Sequence, residues 1–212
     1  MYINGLIFLG VCFVNVCSRG IHSNSRLFYN YSPKKYLSYN QAKDLILEFD
    51  KNDLYTGFES EVKSLEHIWP QSYFIDNHNL KKKDMHLLTQ IDLKTNIFRS
   101  NYKFIDSKLL KTDYFSKQTI NFKNISKNTK DKVFFTPDRT KGIISRSIAY
   151  SVLVYPDLFY NLNKVIDKND LIDWSISNPV TDYELERNDY IKFYQGNDNP
   201  FIIHPDLIYI FK

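Results

Sequence analysis

Glu66 and His67 stand side by side in this 212-residue chain, and about thirty residues later comes Asn96-x-x-Arg99-Ser100-Asn101. A histidine titrates near neutrality and is a natural base for activating water. A carboxylate and an amide oxygen are hard donors of the kind that hold Mg²⁺, which takes one or two protein ligands and keeps several waters. An arginine can fork onto a phosphate oxygen. Base, metal donors and cation together are what hydrolysis of a phosphodiester requires. Each element alone says little. A Glu-His dipeptide is common, Asn96 serves equally well as a helix-surface residue, and Arg99 could pair with Asp92 across a helix turn. Their joint occurrence is what points to this chemistry.

The segments around these residues must position them. Leu54 to Ile68 reads as mostly extended and ends in the Glu-His pair. Residues 71–83, with Asp76-Asn77-His78-Asn79, read as a loop. From Ile91 to about Tyr102, Asp92, Asn96 and Arg99 recur at i, i+4 and i+7, which predicts a helix collecting all three on one face. Ser38-Tyr39-Asn40-Gln41 predicts a capping box ahead of Ala42, Leu45, Ile46 and Phe49 at helical spacing. Thr181-Asp182-Tyr183-Glu184 predicts another, opening a helix that ends at Gly196. Asp138 to Tyr155 has helical spacing, and Pro156 stops that helix or opens the next. Residues 103–132 alternate polar and aromatic pieces and give no firm pattern. The expectation is an α+β fold, mainly helical, in one domain with a short strand pair near the chemistry.

Hydrophobic residues make up 43% of the chain and aromatics 16%, enough for a sizeable core and against disorder. The net charge of +4 excludes a polycation; it suits cationic groups gathered in a cleft and equally suits an ordinary surface. Cys12 and Cys17 lie in an apolar run, Gly5 to Ser18, that is short for a bilayer span and is followed by small residues. This predicts a secretory leader over residues 1–20 and a mature domain over 21–212, against a buried strand or an anchor. Its amino end lacks Lys and Arg, and Val16-Cys17-Ser18 is a mediocre cleavage site. The mature chain would then carry no cysteine, which removes disulfides and thiolate zinc sites.

Three ordered motifs resemble the bacterial endonuclease I family of secreted and periplasmic nucleases: Glu66-His67-Ile68-Trp69-Pro70-Gln71-Ser72, Asp84-Met85-His86-Leu87-Leu88, and Lys94-Thr95-Asn96-Ile97-Phe98-Arg99-Ser100-Asn101-Tyr102. Weaker matches follow at Lys141 to Arg146, Trp174, Pro179-Val180, Glu184-x-x-Arg187-Asn188 and Gln195 to Phe201. The resemblance implies a ββα-metal finger in which His67 is the general base and Glu66 and Asn96 are the ligands of one divalent ion, Mg²⁺ with Mn²⁺ or Ca²⁺ as substitutes. It implies cutting of DNA, and of RNA as a second substrate, with little sequence preference, leaving 5′-phosphate and 3′-hydroxyl ends. A secreted or periplasmic monomer with no membrane contact in its mature form completes the expectation.

Two departures stand out. Some members carry a disulfide-bearing insertion before the Asn helix, with an arginine aimed at the scissile phosphate; this chain has a short cysteine-free loop, so that role falls to Arg99, Arg146 or the lysine run. Ile143 and Leu87 stand where the family pattern often has Asp or His, changes that touch the support of the site.

Catalytic candidates are thus His67 and Arg99, and metal candidates Glu66 and Asn96. Asn101, Arg146, Lys81, Lys82 and Lys83 are the nucleic-acid candidates, with a structural ion pair the competing reading for Arg146 and a solvated charge run for the lysines. Glu184 and Arg187 are expected to pair on one helix, His86 to support the site from within, and Trp174 and His204 to be structural. The rival functional readings are a catalytically silent nucleic-acid binder of nuclease ancestry, and a nuclease of this fold acting inside the cell.

Overall fold

In the computed structural model, residues 30–111 and 119–212 are described. The expected leader, both cysteines and His22 lie outside them. Strand β1, Lys63–His67, pairs antiparallel with β2, Leu88–Asp92, and helix α2, Leu93–Arg99, follows directly. Helix α1, Tyr39–Phe49, covers the opposite face of this ribbon. Side chains alternate along a strand. Leu65 accordingly packs with Ala42 and Ile46 of α1, while Ser64 and Glu66 turn toward α2.

Both capping boxes form: Ser38 accepts from the Gln41 N–H, and Thr181 accepts from the Glu184 N–H. The helix that follows Thr181, Asp182–Gln195, ends at Gly196 with φ +82°. Asp92 departs from expectation. It precedes α2 as its N-cap, accepting from Lys94 N–H at 2.9 Å and from Val62 N–H at 3.1 Å, so it does not share a helix face with Asn96 and Arg99. A short carboxylate satisfies unpaired helix-start N–H groups better than it extends the helix. Residues 71–83 also contain more than a loop, with helical turns at Gln71–Tyr73 and His78–Lys81.

The largest correction is a second sheet. Strands β3 (Lys103–Asp106), β4 (Thr119–Phe122), β5 (Ile125–Asn128) and β6 (Val133–Thr136) form it in the order β3-β6-β5-β4, with β3 and β6 parallel. It stands behind the ribbon: Phe104 and Phe134 pack on Tyr55, with ring centroids 6.2 and 5.0 Å away.

Helix α3, Lys141–Val154, is buried on almost every side and packs on α4, Lys168–Ser177. Such a helix is central to its domain. Its polar residues must therefore find partners inside. Tyr150 and Tyr155, just past its end, donate to Asp84 Oδ2 at 2.9 and 2.8 Å, and Gln195 Nε2 and the His86 N–H reach Asp84 Oδ1. Burial raises the Asp84 pKa even so. Arg146 forks onto Glu184 at 2.7 and 2.8 Å, and Gly142 is what makes room, since a Cβ there would lie 2.4 Å from its guanidinium.

His86 lies in the same polar core, its ring 4.6 Å from Tyr150 and its Nε2 bonded to the Asn197 carbonyl at 3.1 Å. Burial, with Arg187 nearby, lowers its pKa from 6.5 to about 3. A depressed histidine stabilises the fold fully above pH 6.5, and that contribution is lost as pH falls toward 3, because the unfolded chain takes the proton first. Unfolding free energies from denaturant titrations between about pH 6 and about pH 4 should therefore fall more steeply for the parent than for His86→Gln, by about 1.4 kcal/mol per pH unit. Equal slopes would contradict the buried neutral state.

Candidate active site

Glu66, His67, Asn96, Arg99 and Asn101 all border one open cleft of about 210 Å³, together with Gln71, Ser72 and Ser100. Consecutive strand residues point to opposite faces, but His67 is the last residue of β1, and the cleft wraps the ribbon's end.

The Glu66 carboxylate is 4% exposed. Tyr55 donates to its Oε1 at 3.0 Å, and Arg99 Nε lies 3.1 Å from the same oxygen, off the line of its N–H, so that contact is Coulombic rather than a hydrogen bond. Burial raises the Glu66 pKa, with the Arg99 charge and the Tyr55 hydroxyl pulling the other way.

Asn96 donates through Nδ2 to Ser64 Oγ at 3.0 Å and to the Leu65 carbonyl at 3.1 Å. A carbonyl can only accept, so Leu65 settles which end of the amide is nitrogen. Oδ1 is left facing away from β1 as an acceptor. His67 Nε2 lies 2.9 Å from the Lys82 carbonyl, which fixes the proton there by the same reasoning. Nδ1 then carries the lone pair, with Gln71 Nε2 3.1 Å away. Burial lowers the His67 pKa to about 4, and the Lys82 charge adds to the shift, so the ring is neutral at pH 7.

Among the described residues no group of three or more His, Cys, Asp or Glu is arranged to hold a metal. The donors present, one carboxylate and one free amide oxygen beside an open cleft, fit a hard ion that keeps most of its waters. They do not fit zinc held in a closed protein shell.

The cationic candidates divide. Arg99 is 1% exposed; besides Glu66 it donates to the Ile68 carbonyl at 3.2 Å and the Ser100 carbonyl at 2.6 Å, and its guanidinium lies 4.2 Å from the Phe104 ring centre. It lies beneath Glu66 on the wall of the cleft, with one N–H on each of two carbonyls. Ser100 meets it with φ +57°, an unusual backbone for a side-chain-bearing residue. Arg146 is likewise buried, with donors taken by Glu184 and by the Ser175 and Asn178 carbonyls, so it does not face nucleic acid. Glu184 is thus the partner of Arg146, and Arg187 pairs with Asp50 at 3.1 Å. Lys81 is buried against Asp157 and the Asp76 carbonyl. Lys82 and Lys83 remain half-exposed near the cleft, and Asn101 closes one side of it by donating to Ser72 Oγ at 3.2 Å.

Sequence reasoning missed Tyr55, which lies in no motif, and Gln71, which stands four residues after His67 inside one. Trp174 is buried, as expected, while His204 is exposed. A larger cavity of about 670 Å³, lined by Phe49, Asp53, Arg139, Tyr183 and Tyr190, holds none of the candidates.

If Arg99 acts by neutralising a buried carboxylate, Arg99→Met should cost about 3–5 kcal/mol of unfolding free energy. Denaturant unfolding checks this; unchanged stability would mean that Glu66 does not need its partner.

The family model for endonuclease I matches residues 17–206. An extracellular ribonuclease of Bacillus subtilis (strain 168) is 28% identical over 210 residues, covering 80% of this chain and 67% of that protein. No helix among the described residues is long and apolar enough to cross a membrane. The cleft residues lie inside the matched span, and the chain belongs to the endonuclease I family of nucleases.

Proposed function

We propose that this nuclease is a secreted, divalent-metal-dependent endonuclease that hydrolyses DNA, and RNA as well, with little sequence preference, leaving 5′-phosphate and 3′-hydroxyl ends. The observation that carries the reading is a neutral His67 with its Nδ1 lone pair on the same cleft as Glu66 and Asn96. Family membership and the extracellular relative support it.

A Mg²⁺ ion held by the Glu66 carboxylate and Asn96 Oδ1, with Mn²⁺ or Ca²⁺ as substitutes, would supply Lewis acidity at the phosphate and stabilise the departing oxygen. The chain does the rest. The Lys82 carbonyl holds the proton of His67 on Nε2, so that Nδ1 takes the proton of the attacking water. In the resting site Gln71 Nε2 donates into that lone pair, so it must yield its place to the water before the proton can be taken. Arg99 and Tyr55 hold the Glu66 carboxylate in place, and Ser64 with Leu65 orients the Asn96 amide. Contacts made to phosphates position a strand without reading its bases, which accounts for low specificity.

Supercoiled plasmid and RNA should be cut with Mg²⁺ and spared with EDTA. His67→Ala should lower the cutting rate by about 10²–10⁴-fold while leaving binding intact. Cutting at the parental rate by that variant would refute the base assignment. A folded protein that binds DNA but does not cut it with any divalent ion would be a silent binder.

A further inference from the structure

We propose that the rim beside His67 is a subsite for single-stranded nucleic acid, in which Tyr39 and Tyr36 stack on unpaired bases and Lys82 and Lys83 grip the intervening phosphates. This rests on the nuclease reading and narrows its preferred substrate to unpaired strands.

The Tyr39 ring lies 6.2 Å from the His67 imidazole and is nearly parallel to it, at 12°. Lys82 Nζ stands 4.6 Å from the Tyr39 ring centre, and Lys83 Nζ stands 5.7 Å from that of Tyr36. Two adjacent lysines thus meet two tyrosines three residues apart, and the row leads away from the proposed base. Lys81, next in the chain, is neutralised by Asp157, whereas among the described residues Lys82 and Lys83 have no carboxylate within ion-pair distance. Tyr36 is 63% exposed, so its ring can be reached by a base.

Tyr39 is half-buried and Lys82 and Lys83 lie over the two rings, so the ammonium groups swing off the rings onto phosphates as bases stack. Aromatic rings alternating with ammonium groups that lack a carboxylate are the equipment of single-strand binding, since every base has a face to stack and every step a phosphate to hold. In a duplex those faces are occupied by neighbouring bases, so the tyrosines would add nothing there. The site also answers a need of this chain: with Arg99, Arg146 and Lys81 buried, Lys82 and Lys83 are the cationic members of the candidate set left to meet phosphate.

Binding of a short unstructured oligonucleotide and of the same sequence as a duplex would be compared by fluorescence anisotropy, using the full chain in chelator. Tyr36→Ala should weaken single-strand binding at least about fivefold and change duplex binding less than about twofold, while Tyr36→Phe retains both. Lys83→Met should weaken both and flatten their salt dependence. Equal losses on the two substrates with Tyr36→Ala, or no loss on either, would overturn the subsite while leaving the nuclease reading standing. A parent that neither binds nor cuts nucleic acid would remove that reading and the subsite together.

Discussion

A carboxylate taken out of water must be neutralised or hydrogen-bonded, and Glu66 imposes that constraint on everything around it. Its partners come from separate elements: Arg99 from the last turn of α2, Tyr55 from the turn ahead of β1. Those partners need backing in turn. The Arg99 guanidinium rests on Phe104, and the Tyr55 ring on Phe104 and Phe134, so the second sheet forms the wall against which the carboxylate is held. A second buried carboxylate, Asp84, does comparable work deeper in the molecule, joining the residues just before β2 to α3 and to Gln195 and so fixing the end of the ribbon on which His67 sits.

This arrangement separates two uses of positive charge. Arg99, Arg146 and Arg187 are placed inside, where a planar fork can satisfy carboxylates and carbonyls at once. Lysines are left at the cleft's rim, where a hydrated ammonium costs little to keep. Two buried lysines show the rule: Lys81 takes an aspartate and a carbonyl, and Lys141 takes Asp106 and Asp138.

What was legible in the sequence was local. Ser38 with Gln41, Thr181 with Glu184, and Gly196 act within a few residues, and each forms as read. The ββα order around Glu66, His67 and Asn96 was legible because its motifs are ordered along the chain. The second sheet was not, because its strands are four residues long and β3 pairs with β6 about thirty residues away, with no periodicity to reveal it. The buried partners of Arg99 and Arg146 were not legible for a related reason. Spacing along a helix says which residues share a face, not whether that face meets solvent or a carboxylate from another element, as with Glu184, 38 residues from Arg146. Tyr55 left no trace at all, since its function exists only once the turn at Asp53 brings it to Glu66.

The central claim is that Glu66 and Asn96 present a single hard-metal site beside a neutral His67. Titration of Mn²⁺ followed by electron paramagnetic resonance tests it most directly. The account predicts a single ion bound per chain, lost in Glu66→Gln and in Asn96→Ala and kept in His67→Ala. Binding unchanged in the first two variants, with the protein folded, would contradict it.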